Sequence, residues 1–472
     1  MPYKKTSRPF ILTIFGASGD LAKLKIFPAL YRLMEEEKLP DEFYIIGYAR
    51  TKMSHKEFQD FFIESIRASK KIKSEKLIRD LVQRVFYFTG NYKDLNDFKK
   101  YAAFVKKIVK KRMTHIAYFS VPPVAFRDII ENLGKSFDTN HDDLRLIIEK
   151  PFGTDRHSAR ELFHFAARYF HDEKLYLLDH YLGKTAVQSL VHLRHSNSII
   201  NMVMKGTGIA NIQITAFEDI GIENRVGYFE QVGSLNDMVQ SHLLQMLALV
   251  TMSIPITEHA KSLHREKYNI LSALQFPLSK KNVVLGQYES YRSLPGVPKN
   301  SKTNTFAALR LFIDRESWYK VPIYIRTGKM LHEKHTFITV EFKKYPFQSS
   351  KEPPNRFIIE VSPEEKMIIK LINKHGRISE YQDITTSEKI GCGTEECLPE
   401  HAVLLLDVIR GNRLHFLSFP EIIASWRVID SITRFIAERN IPVEKYRDGS
   451  EGPLDQNFMT KMDGYEWFDY HD

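Results

Sequence analysis

The chain has 472 residues, a net charge of +10 from 68 Lys and Arg against 58 Asp and Glu, and a composition that is 43% hydrophobic and 12% aromatic. With 22 Gly and 20 Pro it is too poor in both for a collagen-like or low-complexity protein, and its aromatic content excludes intrinsic disorder. Two cysteines, Cys392 and Cys397, exclude a disulfide scaffold and a four-cysteine zinc site.

The two thiols are expected to be free in a reducing cytosol, with a local redox pair in GCGTEEC as the alternative. The positive excess alone fits nucleic-acid binding, attraction of phosphorylated small molecules, or solubility. The densest basic run, KKIVKKR from Lys106 to Arg112, lies among apolar residues at helical spacing without an aromatic platform. It reads as a solvated helix face, and no nucleic-acid partner is expected.

Along the chain, Lys4, Lys5 and Arg8 precede an apolar run, Phe10 to Phe15, that is too short for a signal peptide and is followed by Asp20 and Lys23. This run predicts a strand, followed by a glycine turn and an amphipathic helix from Leu21 to about Glu36, with Leu21, Leu24, Phe27, Leu30 and Leu33 at helical spacing. A second strand follows at FYIIGYAR, Phe43 to Arg50, which completes the first unit of a doubly wound parallel sheet. Further strands are predicted at Arg84 to Phe88 and in the segments starting at His115, Leu144 and Lys174. Residues 1–178 thus read as an α/β, Rossmann-like dinucleotide-binding domain.

Beyond that point GIANIQITAFED, TFAALRLFID, KVPIYIRTG, TFITVEFKK, RFIIEV and KMIIKLI succeed one another with few helices, which predicts a mostly antiparallel sheet. Helical spacing recurs over Glu230–Thr251, Glu400–Ile409 and Phe419–Arg439, so residues 179–472 read as a larger α+β domain. The longest apolar segment, ten residues from Leu247, is about half of a membrane span. No membrane partner is expected, and the location reads as cytoplasmic.

Four clusters carry chemistry. In the first turn Gly16, Gly19 and Ala22 hold the small-residue positions that let a backbone approach a pyrophosphate at a helix N-terminus, with Gly16, Ala17, Ser18, Gly19, Asp20 and Leu21 as the cofactor-binding stretch. The second strand ends in Arg50 rather than an acid, which favours the 2′-phosphate of NADP, a solvated surface charge being the alternative. In EKPFGTD, Lys150 closes a strand and, before Pro151, is poised to enter a cleft rather than to pack. In DHYLGK, Asp179 and His180 close another strand; if a helix follows, His180 and Lys184 share one face and, with Tyr181, suit a phosphate. Finally, His242 lies beside a buried stripe, and Asp237, five residues earlier, points about 140° away on an α-helix, so the two flank a pocket separately or one is incidental. None of these sets calls for a metal.

GASGDLAK, GYAR, SVPP, EKPFGTD, DHYLGK, GYFE with DMVQSHLLQML, VPIYIRTGK and YRDGSEGP, in this order and over nearly the entire chain, resemble the glucose-6-phosphate dehydrogenase family. DHYLGK is specific to that family, whereas the glycine turn and EKP also occur in other sugar dehydrogenases. The resemblance implies oxidation of D-glucose 6-phosphate to 6-phosphogluconolactone with hydride transfer to NADP, the first step of the oxidative pentose phosphate pathway. It makes His242 the general base and Asp179 its carboxylate partner, and gives His180, Tyr181 and Lys184 to the substrate phosphate. It gives Lys150, with a cis peptide to Pro151, to the substrate hydroxyls and to the placing of the coenzyme, and sets Asp219, Asp237, Lys329 and Lys334 against the sugar or its phosphate. It also implies a homodimer built through the large sheet, or a tetramer of such dimers.

Departures from the family pattern are Asp219 for Glu, Asn236 for Arg, Glu230 for Asp, Ser362 for Gln, Thr185 for Glu, and PEHAVLLLD from Pro399, which is one residue short and lacks a Tyr-Glu-Arg. Glu360 stands where animal members have an arginine for a second NADP, so that extra site is expected to be absent. The alternatives are a related NAD(P)-dependent sugar dehydrogenase, which would not need His180 and Lys184, and a weakly active dinucleotide-binding regulatory homologue.

Overall fold

The structure is a computed structural model that describes residues 5–69, 72–109, 111–139, 143–349, 352–375, 378–385 and 398–470. Cys392 and Cys397, with their redox-pair reading, lie outside the described residues, as does Lys110 of the basic run. The chain forms two compact units: residues 1–153, 157–183 and 398–419 make the first, and 154–156, 184–397 and 420–472 the second.

The first unit is built on a six-stranded sheet of β1 (Phe10–Phe15), β2 (Phe43–Ala49), β3 (Val85–Thr89), β4 (Thr114–Phe119), β5 (Leu144–Glu149) and β6 (Leu175–Leu178). Every pairing is parallel and the order is β3-β2-β1-β4-β5-β6, so the fold is Rossmann-like, with a strand-order reversal between β1 and β4 where this architecture places its ligands. Helices cover both faces of such a sheet, which is why FILTIF and THIAYF are buried at every position.

The helix after the glycine turn departs from its predicted face. Residues Ala22–Ile26 are wound as a π-helix before the α-helix Phe27–Glu35 begins. The wider turn shifts the phase of the stripe, so Ala22, Ile26, Phe27, Leu30 and Leu33 are buried while Leu24, predicted inside, is 61% exposed. The basic run is helical only in part: Lys106 and Lys107 are exposed in the last turn of the helix Leu95–Ile108, whereas Lys111 and Arg112 follow it.

Segment 398–419, expected with the second domain, packs with the first unit. Its helix Glu400–Arg410 buries Ala402, Leu404, Leu405, Leu406, Val408 and Ile409 in the core that holds Leu12, Ile14 and Leu30. The Arg145 guanidinium, buried on β5, donates to the carbonyls of Val408 and Ile409 and so satisfies the end of that helix.

The second unit is a sheet of ten strands. They are β7 (Ile209–Phe217), β8 (Leu274–Gln275), β9 (Val283–Tyr288), β10 (Phe306–Ile313), β11 (Ile323–Gly328), β12 (His335–Phe342), β13 (Arg356–Ser362), β14 (Lys366–His375), β15 (Ile378–Thr385) and β16 (Val443–Tyr446). The order is β15-β14-β13-β12-β7-β11-β10-β9-β16, with β8 on β10; only β7–β11 and β9–β16 pair in parallel among the described strands, so the sheet is mostly antiparallel. The helix Ala260–Ala273, and the helix Phe419–Arg439 from Pro420 onward, belong to the same unit. Between them lies a buried ion pair, Lys267 Nζ to Glu421 Oε2 at 2.7 Å, with Gln245 Oε1 accepting from the same ammonium at 3.2 Å.

Candidate active site

In the first unit the glycine turn sits at the strand-order reversal. Gly16 has φ +83°, and a Cβ placed on it would lie 2.0 Å from the Ser120 carbonyl oxygen of the SVPP loop after β4, so only glycine fits. The Gly16 N–H donates to the Tyr48 carbonyl at 2.8 Å and the Gly19 N–H returns to the Gly16 carbonyl at 2.9 Å, which closes the turn. The helix that follows starts at Leu21 without a side-chain cap. Small residues, a closed turn and an uncapped helix N-terminus make a cradle that fits a dinucleotide pyrophosphate. Ala17 is buried, Ser18 and Gly19 are half-buried, and Ser18 Oγ lies 3.1 Å from Thr51 Oγ1 at the end of β2. Arg50 follows β2 as an exposed side chain whose guanidinium lies 5.6 Å from the centre of the Tyr92 ring.

Lys150 and Asp179 follow the adjacent strands β5 and β6, and the Lys150–Pro151 peptide is cis. Asp179 is 1% exposed, and its Oδ1 accepts the Tyr181 N–H at 3.0 Å. That bond favours a tight 3₁₀ turn over His180–Gly183 in place of an α-helix. Lys184 is then extended (φ −70°, ψ 136°), and the helix Thr185–Ser196 begins after it without a side-chain cap. The expectation that His180 and Lys184 share one helix face is therefore corrected: a turn, not a helix, separates them.

The second unit carries the other cluster. The predicted helix Glu230–Thr251 is divided: Val226–Ser234 breaks at Gly233 (φ 64°, ψ 170°), a π-wound stretch runs over Leu235–Leu243, and an α-helix continues over Leu244–Thr251. Asn304 holds the restart, its carbonyl accepting from Ser234 N at 2.8 Å and its side chain from Leu235 N at 2.9 Å. The π winding narrows the expected divergence of Asp237 and His242, because each residue of a π-helix turns through less than the roughly 100° of an α-helix, so residues five apart diverge by less than about 140°. Both are buried, Asp237 at 8% and His242 at 1% exposure. The Tyr228 hydroxyl, pushed up first by burial and then by the Asp237 charge, bonds that carboxylate.

Lys329, buried at the end of β11, pairs with Glu218 and lies 5.4 Å from the Phe229 ring centre. The late YRDGSEGP motif holds this strand end: the Tyr446 hydroxyl donates to the Lys329 carbonyl at 2.6 Å, and Gly449 N donates to Met330 O at 2.8 Å. The carboxylate brought to Lys329 is thus Glu218, which the sequence reading passed over for its neighbour Asp219. Asp219 and Lys334 are both exposed. The signal was strand parity, since Glu218 follows the buried strand IANIQITAF directly and its backbone bonds Gly328 and Leu331. Of the departures, Glu230 accepts the Tyr291 hydroxyl at 2.5 Å. Glu360 is buried against Tyr470, His335 and Lys366; burial alone would raise it, but these partners carry it down to about 2.

Residues 13–189 match the family description "Glucose-6-phosphate dehydrogenase, NAD binding domain", and residues 191–468 match "Glucose-6-phosphate dehydrogenase, C-terminal domain". The cytoplasmic glucose-6-phosphate 1-dehydrogenase 5 of Arabidopsis thaliana is 34% identical over 476 residues, covering 96% of this chain and 91% of that protein. The glucose-6-phosphate 1-dehydrogenase of Schizosaccharomyces pombe is also 34% identical, covering 97% and 96%. Among solved structures, a glucose-6-phosphate dehydrogenase in complex with its substrate glucose-6-phosphate superposes with a TM-score of 0.90 at 28% identity, over 99% of this chain and 100% of that one. The chain belongs to the glucose-6-phosphate dehydrogenase family.

Proposed function

We propose that this protein oxidises D-glucose 6-phosphate to 6-phospho-D-glucono-1,5-lactone with NADP, as a cytoplasmic homodimer or a tetramer of such dimers. The observation that carries the reading is the Asp179–Lys184 turn, where a buried carboxylate, a histidine, a tyrosine and a lysine lead into an uncapped helix N-terminus. Backbone N–H groups there face outward along the helix axis and suit a phosphate, with His180, Tyr181 and Lys184 around it.

In this reading a bound nicotinamide dinucleotide supplies the acceptor for the hydride that leaves C1. His242 takes the proton of the anomeric hydroxyl, so that the C1–O bond becomes a lactone carbonyl as the C1–H pair departs. Asp179 orients the imidazole and stabilises the cation that forms. Lys150, Asp237, Lys329 and Lys334 position the sugar, and we assign Glu218 beside Asp219 to the same task because of its pairing with Lys329. Gly16 to Leu21 hold the pyrophosphate, and Arg50 reads the 2′-phosphate.

Two substitutions test these roles. Lys184→Ala is expected to raise the KM for glucose 6-phosphate by about tenfold or more, the scale of one lost charge-assisted contact, and to leave that for unphosphorylated glucose unchanged. An equal effect on both sugars would remove Lys184 from the phosphate. Arg50→Ala is expected to weaken NADP by about tenfold with little change for NAD, as measured by titration. Unchanged selectivity would mean that the 2′-phosphate is read elsewhere.

A further inference from the structure

Glu149 ends β5 directly before Lys150 and has an unusual set of neighbours in the first unit. The Tyr118 hydroxyl at the end of the adjacent β4 donates to Glu149 Oε1 at 2.5 Å. His401 Nε2, from the helix Glu400–Arg410, lies 3.7 Å from the same oxygen. This histidine belongs to the PEHAVLLLD segment, whose departure from the family pattern had no role in the mechanism above.

We infer that Glu149, clasped by Tyr118 and His401, is a positioning residue whose protonation sets the charge presented beside Lys150 and Asp179. The inference rests on the roles given to those two residues in the proposed reaction. Burial dominates the Glu149 carboxyl and raises it to about 7, with Asp179 pushing the same way and Tyr118 and Lys150 opposing. His401 offers no counter-charge, since burial first, and then Lys25, depress it to about 4 against the pull of Glu400. Tyr118 is held well above its ordinary value by burial and by Glu149, so it remains a donor. Lys150 is then the cation that opposes the raised Glu149 carboxyl.

The consequences follow from charge. With its proton on, Glu149 is a neutral acceptor for Tyr118, and it neither repels Asp179 nor competes for the Lys150 ammonium. With the proton off, it places a second carboxylate next to Asp179 and draws Lys150 from the sugar. Substrate binding is therefore favoured on the acid side of the Glu149 transition.

The test is infrared titration of the enzyme without substrate, paired with pH-dependent kinetics. The carbonyl stretch of a protonated carboxyl is expected to disappear with a midpoint near 7, and Glu149→Gln is expected to lack that change. Tyr118→Phe removes a bond that favours the carboxylate, so its midpoint is expected to move to higher pH. In the wild-type protein the KM for the sugar phosphate rises by about tenfold across this transition, one unit of apparent pKa, and in Glu149→Gln it stays flat. A carboxyl signal that persists in Glu149→Gln, a midpoint unmoved in Tyr118→Phe, or a loss of activity equal at every pH would overturn the inference. Because the infrared signal needs no turnover, its absence is distinct from failure of the proposed reaction.

Discussion

His242→Asn is expected to lower kcat by about 10² to 10⁴, the range that removal of a general base costs, while NADP still binds. The size of the effect follows from the placement of this residue. His242 is 1% exposed within the π-wound stretch Leu235–Leu243, so no solvent molecule reaches its position easily to act as a substitute base. Asn keeps roughly the shape and polarity of the ring but accepts no proton at neutral pH, so folding and coenzyme binding are expected to survive. Coenzyme affinity by fluorescence titration, beside steady-state turnover, separates the two effects. Turnover within a few-fold of the wild type would remove His242 from the reaction.

Glu421→Ala is expected to lower the stability of the second unit by about 3 to 5 kcal/mol, the cost of stranding one member of a buried ion pair. The Lys267 and Glu421 side chains are 1% and 0% exposed, and Gln245 alone cannot replace the lost carboxylate. The double variant Lys267→Met/Glu421→Leu is expected to lose less than either single change, because well-packed apolar side chains of similar volume often replace such a pair without loss. Denaturant unfolding checks both statements, and single variants as stable as the wild type would show that the pair is solvated. The location gives this pair a functional edge, since Gln245 lies one turn beyond His242.

The fold was largely legible where burial is two-sided. All six parallel strands lie within a residue or two of their predicted places, because a strand covered on both faces reads as an uninterrupted apolar run, as FILTIF does. The antiparallel half was less so. VVLGQY forms β9 with a glycine in its middle, and β15, ISEYQDIT, is too polar to read as a strand. What sequence periodicity cannot express is local winding. The π turns at Ala22–Ile26 and Leu235–Leu243 break a 3.6-residue count, exposing Leu24 and narrowing the angle between Asp237 and His242. The turn at His180–Gly183 was hidden for another reason, since one side-chain bond from Asp179 decides it. Glu218 shows a third limit: two adjacent acids look alike in sequence, and only strand direction selects the one that meets Lys329.

The positive excess that first allowed nucleic acid also has a narrower use. In the proposed reading, Arg50, Lys150, Lys184, Lys329 and Lys334, which lie at the ends of strands or in the turns after them, serve two anionic small molecules. In the described residues no helix is long and apolar enough to cross a membrane.

The central claim is tested most directly by NADPH formation with glucose 6-phosphate, glucose and 6-phosphogluconate as parallel substrates. The proposed site predicts turnover with the first, a specificity constant for glucose lower by about 10² or more because the phosphate contacts are lost, and no product from the third. Equal rates with glucose and its 6-phosphate, or no NADPH from either, would contradict it.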